Sequence, residues 1–135
     1  MASSLPSSLA DFLSKPNPAV MATLAKDGRP VTVATWYALE PSGRVLLNLD
    51  GERVRLGHIR RDPRIALTAI DLADWGNHVS LQLVAVEIAD DEDLRDIDAI
   101  ARHYTGSAYP NRDRPRVSVR ADVRSWHGWG EYRDE

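Results

Sequence analysis

Residues 21–68 read MATLAKDGRPVTVATWYALEPSGRVLLNLDGERVRLGHIRRDPRIALT, and this stretch decides the fold. Two turn signals divide its first half. Asp27-Gly28 lies between apolar residues and is a hairpin signal, because both types tolerate positive φ. Pro41-Ser42-Gly43 marks a second turn. The flanking segments, "AVMATLA", "VTVATWYALE" and "RVLLNLD", are rich in β-branched, aromatic and leucine side chains that suit a pleated, half-buried surface. Together they predict an antiparallel meander of three strands. Residues 52–61 follow as a short helix: Asp50 and Gly51 stand where a cap belongs, and Pro63 drives Asp62 out of the helical region. "RIALTAID" then returns to strand.

Working outward, "SSLADFLSKPNP" predicts a short N-terminal helix with a Ser cap, Leu9, Phe12 and Leu13 on one side, and Pro16 as its stop. Beyond the loop "LADWGN", His78, Ser80 and Gln82 alternate with Val79, Leu81 and Leu83, the period of a strand with one buried face. "DDEDLRDIDAIARHY" predicts a helix whose acidic start suits its dipole and whose apolar side carries Leu94, Ile97, Ile100 and Ala101, ended by Gly106. "RVSVRADVRSWHGWG" supplies a last strand. The expectation is a mainly β (α+β) chain of six antiparallel strands with short flanking helices. Such strands avoid exposed edges by closing into a full or partial barrel.

The chain has 135 residues, 43% hydrophobic, enough for one core and too few for two comfortable ones. We expect a single domain over 1–135, with 1–18 as helix and linker and 131–135 as a tail. Cysteine is absent, which excludes disulfides and thiolate metal sites, and the four histidines lack the close spacing of a metal site. No run of 18 apolar residues exists, and the N-terminus lacks a charged region ahead of a long apolar run, so a cytoplasmic location without membrane attachment is expected. A net charge of -3 argues against nucleic acid as a partner.

One local excess stands against that acidity. Arg53, Arg55, Arg60, Arg61 and Arg64 crowd one short segment. A charge run is usually a solvated face, but position divides these five. Arg60 and Arg61 fall in the last helical turn, where cations suit the dipole. Arg64 opens the next strand. Arg53 and Arg55 fall at the helix start, where each meets free N–H groups and the positive dipole end at a cost of about 0.3–1 kcal/mol. An anion would offset that cost, and the guanidinium fork fits phosphate oxygens.

The order of the hairpin, the "WY" strand and the "RRDPR" segment resembles the pyridoxamine 5′-phosphate oxidase-like split β-barrel superfamily. Within it, the pattern is similar to the actinobacterial branch that uses the deazaflavin coenzyme F420. The resemblance runs from Met21 to about Asp91, and again at "RVSVRADVRSWHGWG". It implies a homodimeric oxidoreductase with cofactor sites at the interface. Reduced F420 would pass a hydride to an unsaturated small molecule such as a quinone, a tetrapyrrole like biliverdin, or an enone. FMN on the same barrel is the alternative cofactor, and a non-catalytic flavin, F420 or haem carrier the alternative role.

By position, the resemblance implies that Arg53 and Arg55 hold the cofactor phosphate. Val33, Ala34, Thr35 and Trp36 would lie along the ring; Asn48, Leu49 and Asp50 would end a strand at the phosphate side; His58 would stand where the family has asparagine. Trp75, Asn77 and Gln82 would reach the other subunit's cofactor. Arg55 in place of lysine, His58 in place of an amide and Val84 near a usual glycine are departures from the pattern. His58 and Tyr37 are candidate proton donors. Trp126 and Trp129 are candidates for a cleft wall or, more readily, for interface packing. The arginines of "YPNRDRPR" are read as solvated or as meeting the glutamyl tail of F420.

Overall fold

A computed structural model of the protein describes residues 5–133, so the first four residues and the last two of the expected tail lie outside it. In chain order the elements are α1 (Ser7–Leu13), β1 (Ala19–Leu24), β2 (Pro30–Thr35), β3 (Ala38–Leu39), β4 (Val45–Asp50), α2 (Val54–Arg61), β5 (Arg64–Ile70), β6 (His78–Asp90), α3 (Arg95–Thr105) and β7 (Arg116–Trp129). Short 3₁₀ turns cover Glu92–Leu94 and Gly130–Tyr132. No helix among the described residues is long and apolar enough to cross a membrane.

All strand pairs are antiparallel, in the order β2-β1-β5-β6-β7-β4-β3. The two edge strands are consecutive in the chain, separated by Trp36 and Tyr37 alone. Three virtual bonds of about 3.8 Å link Thr35 to Ala38, so the edges lie within about 11 Å of each other. The sheet therefore curls into a barrel, and the gap at residues 36–37 is its split.

This topology corrects two expectations. "VTVATWYALE" is two strands, not one, which gives seven strands among the described residues rather than six. The break has a physical cause: the Tyr37 N–H donates to the Tyr104 hydroxyl at 3.3 Å instead of entering a strand ladder. Nor do the first strands form a meander. β1–β2 and β3–β4 are separate hairpins at opposite ends of the sheet, because β4 pairs with β7 and β1 with β5. The hairpin turns themselves are as read, with Gly28 at φ 87° and Gly43 at φ 88°, conformations that favour glycine.

The core fills the barrel from inward-facing Met21, Leu47, Leu67, Leu81, Val119 and Val123, and α1 closes one side with Leu9, Phe12 and Leu13. Burying each of those three α1 side chains is worth about 1.5–3 kcal/mol. Pro6 rather than a serine stands at the α1 cap position, with no side-chain cap. The helix predicted over "DDEDLRDIDAIARHY", α3, begins later than expected, at Arg95, because Asp93 and Leu94 are left-handed, at φ 58° and 57°. Asp91 caps it from outside: its carboxylate accepts from the Asp96 N–H at 2.9 Å and the Ile97 N–H at 2.8 Å.

Candidate functional site

A cleft of about 690 Å³ opens beside the split. Ala19 and Met21 of β1, Ala34 and Thr35 of β2, and Trp36 line one side, while Asn48, Leu49 and Asp50 bring in the end of β4. Arg53 and Arg55 enter from the start of α2, and Ile97, Ile100 and Tyr104 from one face of α3. Tyr109 and Arg116 complete the lining.

Charge sets the chemistry at one end. Arg53 is the residue before the first turn of α2, Arg55 lies within that turn, and no acidic residue accompanies them there. Neither forms an ion pair with any described residue. The Arg55 Nε is buried without a hydrogen-bond partner. Burial, with the neighbouring Arg53 charge, lowers the Arg55 pKa. Such an orphaned donor costs free energy until an acceptor arrives. Arg64 contrasts with them, since its Nε and Nη2 donate to Asp62 at 3.0 and 2.7 Å. Arg60 and Arg61 are exposed at the far end of the helix, where the dipole accounts for them.

Acidic groups near the cleft are already engaged. Asp50 accepts from Arg114 Nε at 2.9 Å, from Arg114 Nη2 at 3.1 Å and from the Glu52 N–H at 2.9 Å. Those bonds, the Arg114 one foremost, hold its carboxyl below the usual range. Arg114 also reaches Glu52 at 2.8 Å. Arg114 thus offsets one of the two negative charges beside Arg53 and Arg55, and the lining arginines Arg53, Arg55 and Arg116 outweigh the other.

Aromatic side chains also line the cleft. Trp36 stacks on Tyr104 with ring centroids 5.2 Å apart, and Tyr109 meets Trp36 edge-on at 6.3 Å. Tyr104 is anchored by its hydroxyl, which donates to the Asn17 carbonyl at 2.7 Å.

Eight of the expected site residues come together on this cleft: Ala34, Thr35, Trp36, Asn48, Leu49, Asp50, Arg53 and Arg55. Asn48 touches it with its polar atoms committed, because Nδ2 donates to Asp91 and Ser118 and Oδ1 accepts from Arg116. Five do not line it. Val33 shares a side of β2 with Thr35 but packs on the core. His58 is buried, its Nδ1 2.9 Å from the Thr23 hydroxyl. Trp75 is exposed in the loop before β6, where the Asn77 side chain binds the Glu131 N–H at 3.0 Å. Gln82 lies in a second cavity of about 420 Å³ on the outer side of the sheet.

Of the other candidates, Tyr37 is a core residue: its hydroxyl donates to the Leu13 carbonyl at 2.7 Å and accepts from Asn17 at 3.0 Å, and burial raises its pKa. Trp126 packs against the core, and Trp129 stands half-exposed between His78 and His127. Neither tryptophan lines the cleft. Residues not singled out by sequence include Met21, Ile97, Ile100, Tyr104 and Tyr109. For α3 a signal existed, since 97, 100 and 104 share one helical face. For Tyr109 nothing local pointed to the cleft.

Comparison with known proteins places this geometry. The pyridoxamine 5′-phosphate oxidase family model matches residues 5–130. No curated protein matches the chain. Among solved structures, an F420 reductase superposes with a TM-score of 0.82 at 20% identity, covering 90% of this chain and 98% of that one. A conserved hypothetical protein of Mycobacterium tuberculosis gives 0.72 at 26% identity, covering 95% and 86%. General stress protein 26 of Bacillus anthracis gives 0.68 at 12% identity, covering 91% and 92%.

Proposed function

Because the chain belongs to the pyridoxamine 5′-phosphate oxidase family, we propose that it is an oxidoreductase that uses coenzyme F420 and holds that cofactor in the cleft beside Trp36. The observation that carries this reading is the pair Arg53 and Arg55, without counter-ions among the described residues and with the Arg55 Nε buried and unpartnered. A phosphate at the start of α2 would accept from both guanidinium groups and from free helix N–H groups together. The likeness to an F420 reductase favours the deazaflavin over FMN.

When bound, the deazaflavin supplies two-electron hydride chemistry toward an unsaturated acceptor, a quinone, tetrapyrrole or enone. The chain's task is to hold and shield. Arg53 and Arg55 fix the phosphate end. Ala34, Thr35 and Trp36 offer a surface for a planar ring, and the Trp36–Tyr104 stack with Ile97 and Ile100 keeps water from the apolar part of the cleft. Tyr37 and His58 bond elsewhere and do not face the cleft, which leaves Tyr109 as the lining hydroxyl free to meet a substrate.

A homodimer belongs to the same reading. The outer sheet face carries uncharged rows across β1, β5, β6 and β7: Val20, Thr68, Ser80 and His127, then Ala22, Ala66, Gln82 and Ser125. Such a face suits a second copy, which would bring Gln82, and from the neighbouring loop Trp75 and Asn77, toward the partner's cofactor. Sedimentation is expected to give a dimer, and Ala66→Arg a monomer; a monomeric wild type would overturn this part.

Titration of F420 and FMN against tryptophan fluorescence tests the cofactor, with tighter F420 binding expected and preferential FMN binding against it. Oxidation of reduced F420 by a panel of quinones, biliverdin and enones tests turnover. Silence across that panel would favour a carrier over an enzyme.

A further inference from the structure

Residues 109–116 carry three arginines, and the fold sorts them. Arg112 pairs with Asp98 at 2.6 Å, and Arg114 with Asp50 at 2.9 Å and Glu52 at 2.8 Å. Arg116 has no carboxylate within ion-pair distance among the described residues. It sits at the first position of β7, opposite Asp50 at the last position of β4, and it lines the cleft.

Neutral contacts nonetheless hold its guanidinium in one plane. Nε donates to Asn48 Oδ1 at 2.9 Å, Nη2 donates to the Asn48 carbonyl at 3.2 Å, and the group lies 4.9 Å from the centroid of the Tyr109 ring. Asn48 is itself fixed, since its amide nitrogen donates to Asp91 at 3.0 Å and to Ser118 at 3.2 Å, leaving its oxygen for Arg116. Ordering an arginine side chain sacrifices rotamer freedom. Here that order leaves a positive charge in the cleft wall with Nη1 donating to no described residue. A fixed guanidinium fork without a contacting carboxylate is suited to planar capture of an acidic oxygen group.

We propose that Arg116 is a third anion-binding residue of the cleft, contacting an acidic oxygen group on the same ligand whose phosphate meets Arg53 and Arg55. The inference rests on the cofactor reading above. The group is the phosphate itself or a carboxylate attached near it. On this view Asn48 and Tyr109 are positioning residues that act through Arg116.

A binding cycle tests this with four ligands: F420, F420 lacking its glutamyl tail, the phosphate-free deazaflavin chromophore, and the pair FMN and riboflavin counted together. Arg116→Gln is expected to weaken F420 binding at least about tenfold, the scale of a charge-assisted contact, and to leave the phosphate-free chromophore unchanged. Equal loss for the tail-free form assigns the group to the phosphate or the carboxylate beside it; no loss for that form assigns it as a carboxylate of the tail. Unchanged F420 affinity would overturn the proposal, and so would an equal loss for F420 and the phosphate-free chromophore, which marks a structural role. If the wild type prefers FMN, the deazaflavin reading fails while FMN against riboflavin still decides the role of Arg116. If it binds no phosphorylated ligand, both readings fall. Should Arg116→Gln not fold, Arg116→Lys carries the same cycle, with a smaller loss expected for the phosphorylated ligand alone.

Discussion

Trp36 and Tyr104 stack with their planes only 16° apart, which joins the split of the barrel to helix α3. The tryptophan lies where the chain crosses between the two edges of the sheet, and the tyrosine comes from the helix that covers the cleft. One hydroxyl ties this pair to the body: Tyr104 donates to the Asn17 carbonyl and accepts from the Tyr37 N–H.

Tyr104→Phe leaves both backbone groups without their partner while preserving the ring stack. Unfolding in urea is expected to show a loss of about 1–2 kcal/mol. Burial pushes the Tyr104 pKa up to about 12 and raises that of Tyr37 above the ordinary tyrosine value. Groups with raised folded values contribute stability that is whole below about pH 10 and is lost as pH rises through the folded value. The protein should therefore lose stability above about pH 10, and Tyr104→Phe should soften that loss. An alkaline limb identical in both proteins would contradict the assignment.

At the acid end the sign reverses. Asp50 has its pKa lowered chiefly by Arg114, so its contribution is present above the ordinary carboxylate value of about 4 and is lost as pH falls through the lowered folded value. Arg114→Gln should cost stability at pH 7 and almost none once Asp50 is protonated in both states. Thermal midpoints measured from pH 7 downward check this, and a gap between the two proteins that persists unchanged into strong acid would refute it.

His58 and Thr23 form a buried polar pair at 2.9 Å. Thr23→Val, close in shape, strands the His58 nitrogen and is expected to lower stability by about 1–3 kcal/mol without changing F420 affinity. A tenfold change in that affinity would instead return His58 to the site.

Much of the fold was legible in local chemistry. Asp27-Gly28, the stop at Asp62-Pro63, the alternation from His78 to Leu83 and the glycine after α3 each act within a few residues, and each stands where it was read. What misled was non-local. No pattern in "TWYALE" announces that Tyr104, far along the chain, takes the Tyr37 N–H and breaks the strand, nor that β4 leaves its sequence neighbours to pair with β7. The site divides the same way. Arg53 and Arg55 stood out because their helix-end position is unfavourable on its own. Arg116 was read together with Arg112 and Arg114 and not set apart from them, because only the β4–β7 register sets it against Asn48 and Asp50.

The division of the arginine run is the central claim, and affinity for F420 compared across Arg55→Ala and Arg61→Ala measures it most directly. The two changes remove the same side chain from opposite ends of one helix. Arg55→Ala is expected to weaken binding about 10- to 100-fold, the worth of a charge-assisted contact to an anion, and Arg61→Ala less than about twofold, as for an exposed charge. Equal effects from the two substitutions would contradict the account.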